Sequence, residues 1–170
     1  MSIAEQLLKI IVGGDGGIGK TSILRKFCRD YFNDDEEMTM GSDFFIKRMA
    51  VNGEFVNLQI WDLAGQERFR FFLSDLTKGS VGAVIGFDVK RRESFADLDD
   101  WITLVREYNP AIPIVLVGLK IDLNYHPAIS PEKARKFVEE RKLLGYVETS
   151  SKAGLNVDAP FEMIVSHLMS

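Results

Sequence analysis

Several features that define large classes of protein are scarce or missing in this sequence. Its 170 residues include one cysteine, Cys28, which excludes an internal disulfide and a cysteine-ligated zinc site and suits a reducing compartment. Lys and Arg total 21 against 25 Asp and Glu, so the net charge of −4 argues against broad nucleic-acid binding. No apolar run comes close to the roughly 18 residues of a membrane-spanning helix.

Targeting and anchoring signals are missing as well. The first residues lack the basic start and cleavage pattern of a signal peptide. There is neither a C-terminal cysteine for prenylation nor a glycine after Met1 for myristoylation. We therefore expect a cytoplasmic protein that associates with a membrane only through a tail absent from this chain. The length suits one domain over 1–170, and 46% hydrophobic and 27% charged residues are typical of a soluble globule.

Short apolar runs alternate with helical stretches along the chain. The predicted strands cover 7–13, 43–51, 55–62, 81–89, 112–119 and 145–150, and the predicted helices cover 20–32, 92–109, a stretch opening at 131, and 157–169. Asn52-Gly53 predicts a hairpin between the second and third strands. The pattern predicts an α/β fold with a six-stranded, mostly parallel sheet, one antiparallel strand and about five flanking helices. Ligands of such sheets bind beyond the carboxyl ends of the strands.

The stretch GGDGGIGKTS, Gly13 to Ser22, follows the first predicted strand and opens the first predicted helix. It fits G-x-x-x-x-G-K-[ST], a loop whose glycines let successive N–H groups converge on phosphate oxygens. Lys20 is predicted to reach the β- and γ-phosphates, and the Thr21 hydroxyl to bind Mg²⁺. A plain glycine-rich turn is the alternative. The predicted nucleotide-binding residues of this loop are Asp15, Gly16, Gly17, Ile18, Gly19, Lys20, Thr21 and Ser22.

The stretch WDLAGQE, Trp61 to Glu67, lies at the end of another predicted strand. Asp62 can hold Mg²⁺ through a water, because this hard cation prefers oxygen ligands and keeps several waters. Gly65 can offer its N–H to a γ-phosphate, since no side chain blocks close approach. Gln66 can orient an attacking water. A helix cap is the alternative for Asp62, and a solvated loop position for Gln66. The predicted catalytic residues are Gln66, Lys20 and Gly65.

Two later stretches, GLKIDL and TSSKAG, predict a site for a guanine base. The Asp122 carboxylate can accept hydrogen bonds from guanine N1–H and its 2-amino group, whereas adenine would leave it unpaired. The Lys120 stem can pack on the plane of the base. The backbone of the second stretch and Lys152 can close over the base. The other predicted contacts are Leu123, Ser150 and Ser151.

These four elements, in this order and spacing, resemble the Ras superfamily of small GTPases over nearly the whole chain. WDLAGQERFR and TMGSDFFIK are most similar to the Rab branch, whose members show W-D-T-A-G-Q-E-R-F and T-I-G-x-D-F. The resemblance implies a P-loop G domain that acts as a GTP-binding molecular switch. Such a switch hydrolyses GTP slowly to GDP with Mg²⁺, and the Rab branch serves vesicle trafficking.

The resemblance also implies roles that the patterns alone do not assign. Thr39 would bind Mg²⁺ and the γ-phosphate, and Phe32 would pack edge-on against the guanine. Two mobile segments, 33–42 and 63–77, would relax on loss of the γ-phosphate and contact an activating protein, an exchange factor and effectors of a monomeric switch. No arginine occupies a position from which the family supplies a catalytic arginine in cis, so turnover is expected to be slow without the activating protein.

Leu119 is the most consequential departure, because the family has asparagine there in its N-K-x-D element. That asparagine would bond the base and tie the phosphate loop to the TS strand end. Losing such a bond costs about 0.5–1.5 kcal/mol, and an unpaired buried group about 1–3 kcal/mol. Guanine nucleotide affinity is therefore expected to be weaker by about one to two powers of ten. A non-cycling interaction module is the alternative function. A P-loop kinase is a third hypothesis, although the chain offers no arginine-rich lid.

Overall fold

The computed structural model describes residues 7–28, 42–63, 73–121 and 126–170. Its strands are β1 Leu7–Gly13, β2 Ser42–Val51, β3 Glu54–Leu63, β4 Gly82–Asp88, β5 Ile114–Leu119 and β6 Gly145–Glu148. They form one six-stranded sheet in the order β2-β3-β1-β4-β5-β6. The β2–β3 pair is antiparallel and the other four pairs are parallel. The predicted α/β class and the single antiparallel strand are confirmed.

Helices cover both faces of the sheet in the described part of the chain. They are α1 Lys20–Cys28, α2 Arg92–Ala96, α3 Leu98–Val105, α4 Pro131–Arg141 and α5 Ala159–Met169. One buried cluster joins α1 and α5, where the rings of Phe27 and Phe161 stack with centroids 4.1 Å apart. The opposite cluster contains Trp101 of α3 and Phe137 of α4. Every residue of β4 and β5 is buried between these layers, as expected for central parallel strands.

The predicted Asn52-Gly53 turn joins β2 and β3. Both residues have positive φ, 52° and 81°, which is the geometry of a type I′ turn. The turn pairs Val51 with Glu54 and thereby sets the register of the whole hairpin. This part of the fold follows directly from a local sequence signal.

The prediction of one helix over 92–109 is wrong in two respects. Asp97 separates α2 from α3; its φ of −83° and ψ of −3° stay in the right-handed region, and its N–H donates to Glu93 O at the end of α2. The second helix ends at Val105, and Arg106 repeats the same geometry with ψ of −2°. Aspartate competes with the helical backbone for hydrogen bonds and favours such turns. The predicted stretch 20–32 begins as expected at Lys20, and its residues 29–32 lie outside the described part of the chain.

Replacing Ser130 with alanine is expected to lower the free energy of unfolding by about 1 kcal/mol. The Ser130 hydroxyl accepts a hydrogen bond from the Lys133 N–H at 3.2 Å and caps α4, with Pro131 in the first turn. Urea denaturation measures the loss. Ser166→Ala, inside α5, is the matched control and should leave stability within about 0.5 kcal/mol. An equal effect of both substitutions would contradict the capping role.

Candidate nucleotide site

A tight loop over residues 14–19 connects the carboxyl end of β1 to the first residue of α1, Lys20. Gly14 has a φ of 138°, which L side chains rarely adopt. A Cβ on Gly14 would lie 2.5 Å from the Gly86 carbonyl oxygen and 2.5 Å from Ile18 Cδ1. Only glycine therefore lets the loop lie this close to β4. The loop starts where a parallel sheet binds ligands.

Parallel pairing of β1 with β3 brings the start of the WDLAGQE stretch, at the end of β3, to this loop. Val12 lies opposite Asp62 in the register, so the Asp62 carboxylate reaches the start of α1. The Thr21 hydroxyl donates a hydrogen bond of 2.8 Å to Asp62 Oδ2. Thr21, predicted to bind Mg²⁺ by its hydroxyl, and Asp62, predicted to hold it through a water, are thus neighbours, although 41 positions separate them in the chain.

Lys20 is buried at the base of the loop. Burial lowers the pKa of its ammonium group by desolvation, and the nearby Asp62 and Asp15 carboxylates partly oppose that shift. A buried cation with its solvation removed attracts an anion strongly. The first-turn N–H groups of α1, including that of the exposed Ser22, add the positive end of a nine-residue helix. Charge and backbone together favour a phosphate group at this point.

Three consecutive loop residues accept hydrogen bonds from three distant parts of the chain. The pairs are Trp101 Nε1 to Asp15 Oδ1 at 3.0 Å, Arg91 Nη1 to Gly16 O at 3.0 Å, and Lys120 Nζ to Gly17 O at 2.8 Å. All three donors lie beyond the carboxyl ends of β4 and β5 or on the helix that covers them. The loop is therefore held from outside by an indole and two cations.

Arg91 and Trp101 are site residues that sequence reasoning missed. The Trp101 side chain is buried, and its indole N–H donates to Asp15. A buried indole N–H needs an acceptor, so that need was a usable signal. Arg91 stands in a run of basic residues, Lys90 to Arg92, and no local pattern distinguishes it from its neighbours.

Of the residues predicted to surround the base, those that the structure describes lie at the ends of β5 and β6. The Lys120 ammonium group binds Gly17 O and also forms an ion pair of 3.3 Å with Asp88 Oδ2. The Thr149 N–H donates to Gly118 O at 2.8 Å, which brings the TSSK stretch beside β5. Buried Ser150 accepts the Ala153 N–H, whereas Ser151 and Lys152 lie in the turn that follows.

Leu119 supports the loop through apolar contact. Its side chain is buried in the same cluster as Ile18, and its Cδ1 would lie 2.7 Å from a Cβ on Gly86. Leucine cannot supply the polar tie expected of an asparagine at this position. The loop is instead held by the hydrogen bonds that it accepts from Trp101, Arg91 and Lys120.

Several predicted site residues lie outside the described part of the chain. They are Phe32, Thr39, Gly65, Gln66, Asp122 and Leu123, together with most of the segments 33–42 and 63–77. Their roles stay predictions from the sequence. Among the described residues, no helix is long and apolar enough to cross a membrane.

Comparison with known proteins identifies the family to which the chain belongs. The model of the Ras family matches residues 9–170. The chain is 36% identical over 165 residues to "Ras-related protein RABA1i" of Arabidopsis thaliana. The aligned region covers 96% of this chain and 75% of that protein. It is 35% identical over 163 residues to "Ras-related protein RGP2" of Oryza sativa subsp. japonica, covering 95% and 75%. With a phosphate loop, a buried lysine and matches of this extent, the chain belongs to the Ras family and is a Rab-like, GTP-binding switch GTPase.

Proposed function

We propose that this protein binds GTP with Mg²⁺, hydrolyses it slowly to GDP, and changes two surface segments in doing so. The observation that carries the proposal is the junction of Lys20, Thr21 and Asp62 beneath a glycine loop. A buried ammonium group, a hydroxyl and a carboxylate at one helix N-terminus fit a metal-bound polyphosphate better than any uncharged ligand.

The residues present fit a magnesium ion. Thr21 would bind it directly, and Asp62 would bind it through a water. The ion would supply positive charge that offsets the negative charge of the phosphates. The oxygen donors of these two side chains are the type that Mg²⁺ prefers, and their 2.8 Å contact brings them to one point. Thr39 is proposed as the further ligand, on the basis of the family resemblance.

The chain's own residues would perform the remaining steps. Lys20 would bind the terminal phosphates, and the loop N–H groups would surround the rest of the polyphosphate. Gln66 would orient the attacking water while the Gly65 N–H binds the γ-phosphate. Asp122 would select guanine, with Lys120 against the base. Loss of the γ-phosphate would release Thr39 and Gly65.

Release of those contacts would change the surface presented to partners. The segments 33–42 and 63–77 would relax together, and proteins that favour the ordered form would detect the difference. We propose an activating protein, an exchange factor and effectors as those partners, and a monomeric switch. The protein would work in the cytoplasm or, through a tail outside this chain, at a membrane.

Gln66→Leu is expected to slow single-turnover release of phosphate from GTP at least about tenfold, because water would no longer be positioned for attack. Gln59→Leu, a half-buried glutamine on β3 away from the loop, is the matched control and should leave the rate unchanged. Bound nucleotide is first identified by chromatography of the purified protein. Hydrolysis of ATP faster than GTP would contradict the assignment of the base.

A second candidate function follows from the buried, apolar setting of Leu119. A chain that binds the base weakly would exchange nucleotide freely or stay in one state, and would then serve as an interaction module. The same experiment separates the two candidates. Phosphate release that is absent, or that is unaffected by Gln66→Leu, would favour the module over the switch.

A further inference from the structure

We propose that Arg91 is a positioning residue for the nucleotide's phosphates, acting from the outer side of the phosphate loop. This inference rests on the proposed function, because it assigns Arg91 a part in the binding of the same polyphosphate. Arg91 Nη1 donates to Gly16 O at 3.0 Å, and a Cβ on Gly17 would lie 3.4 Å from that nitrogen. The guanidinium group therefore covers the outer surface of two glycines.

Peptide geometry carries the effect through the loop. In a trans peptide unit the C=O and the following N–H point in opposite directions. The unit that Arg91 holds by its Gly16 carbonyl contains the N–H of Gly17. Lys120 holds the next unit by its Gly17 carbonyl, and that unit contains the N–H of Ile18. Two cations outside the loop thus turn two consecutive N–H groups towards its inner side.

The glycines make such an external restraint necessary. Gly16 and Gly17 are exposed, and Gly17 has a φ of 76°. Glycine loses more conformational freedom on ordering than any other residue, so a free loop would sample rotated peptide units. A bond from a charged donor opposes that rotation and also polarises the peptide, which strengthens its N–H as a donor. Arg91 and Lys120 would therefore order the loop before phosphate arrives.

Arg91 projects from a firmly held backbone. Its N–H donates to Asp88 O at 2.9 Å, and its carbonyl accepts the Ser94 N–H at 3.1 Å and the Ser94 hydroxyl at 2.7 Å. Ser94 is fully buried and also accepts the Asp88 N–H at 3.0 Å. The turn after β4 therefore fixes where the Arg91 side chain starts.

The same turn fixes the second cation. Asp88 Oδ1 accepts the Lys90 N–H at 3.0 Å, and Asp88 Oδ2 pairs with the Lys120 ammonium group at 3.3 Å. One carboxylate at the end of β4 thus links the turn that carries Arg91 to the lysine that holds Gly17. The turn after β4 therefore fixes the positions of both Arg91 and Lys120.

The test compares Arg91→Gln with Arg92→Gln in the otherwise unchanged protein. Arg92 is the adjacent residue, is exposed, and its side chain makes no hydrogen bond or ion pair with another described residue. Affinities for GDP with Mg²⁺ and for guanosine are measured by competition against a fluorescent GDP. Arg91→Gln is expected to weaken GDP binding about tenfold, equivalent to about 1.4 kcal/mol. Guanosine affinity should stay within about twofold, because the nucleoside has no phosphate for the loop to bind.

Arg91→Lys retains a charged donor and is expected to recover most of the lost GDP affinity. A parallel loss for GDP and guanosine would indicate a merely structural role and would overturn the inference. Unchanged GDP affinity in Arg91→Gln, or an equal loss in Arg92→Gln, would overturn it as well. If the wild-type protein binds guanosine but not GDP, or neither ligand, the proposed function itself fails and this inference fails with it.

Discussion

Lys20→Met is expected to weaken GDP binding by more than roughly a hundredfold, equivalent to about 3 kcal/mol. Methionine keeps an unbranched side chain, one atom shorter, and removes the ammonium group of Lys20. The ammonium group is buried, and the loss of solvating water lowers its pKa. A bound phosphate would stabilise the charged form in place of that water. The phosphate would then lose the ammonium group and keep the negative charge of the nearby Asp15 carboxylate.

Lys26→Met is the matched control for that substitution, because Lys26 lies on the same helix, near the other end. It should leave GDP affinity within about threefold, a difference of well under 1 kcal/mol. Equilibrium binding with fluorescent GDP gives both values, and circular dichroism checks that each variant is folded. GDP affinity in Lys20→Met within about fivefold of the wild type would show that the loop binds phosphate without this lysine, against the present account.

Leu119→Asn is expected to tighten GDP binding by about tenfold or more, since an amide at this position could bond the base. The same substitution should lower the stability of the nucleotide-free protein by about 1–3 kcal/mol. Leu119 borders a largely apolar cavity with Val12 and Val117, so an amide at this position would replace apolar contacts with a polar group in an apolar setting. Gains in affinity and losses in stability would thus have one cause, the new amide.

Two measurements and one control separate these effects. Thermal denaturation is followed with and without GDP, and the GDP dissociation rate is measured for each variant. Leu119→Ala removes the same apolar bulk without adding an amide, so it should lower stability without tightening GDP. Unchanged affinity in Leu119→Asn, or equal tightening in Leu119→Ala, would mean that the lack of an amide at this position does not limit GDP affinity.

Much of the fold could be predicted because its signals are local. The Asn52-Gly53 pair demands positive φ at two adjacent positions, and the structure has it there. The Ser130-Pro131 pair starts α4 as expected, since a hydroxyl cap and a fixed φ act within one turn. The loop between β1 and α1 follows from glycine spacing in the same way. Asp97 is the exception, because Asp99 and Asp100 lie inside α3, so the presence of an aspartate does not by itself say where a helix is interrupted.

The candidate site could be predicted only as far as its chemistry lies in short stretches. Lys20 and Thr21 are adjacent in the chain, and the role predicted for them follows from the loop that precedes them. The outer contacts of that loop could not be foreseen. Their partners are 86 positions apart for Trp101 and Asp15, 75 for Arg91 and Gly16, and 103 for Lys120 and Gly17.

The sequence by itself determined the strand, loop and helix that would surround a phosphate, because backbone conformation and side-chain type act over a few residues. The tertiary structure alone decided which cations hold the loop from outside. That choice depends on the strand order, in which β1 lies between β3 and β4 and brings the ends of β4 and β5 beside residues 15–17. Proximity in a folded sheet is set by the packing of the whole chain, and no local pattern encodes it.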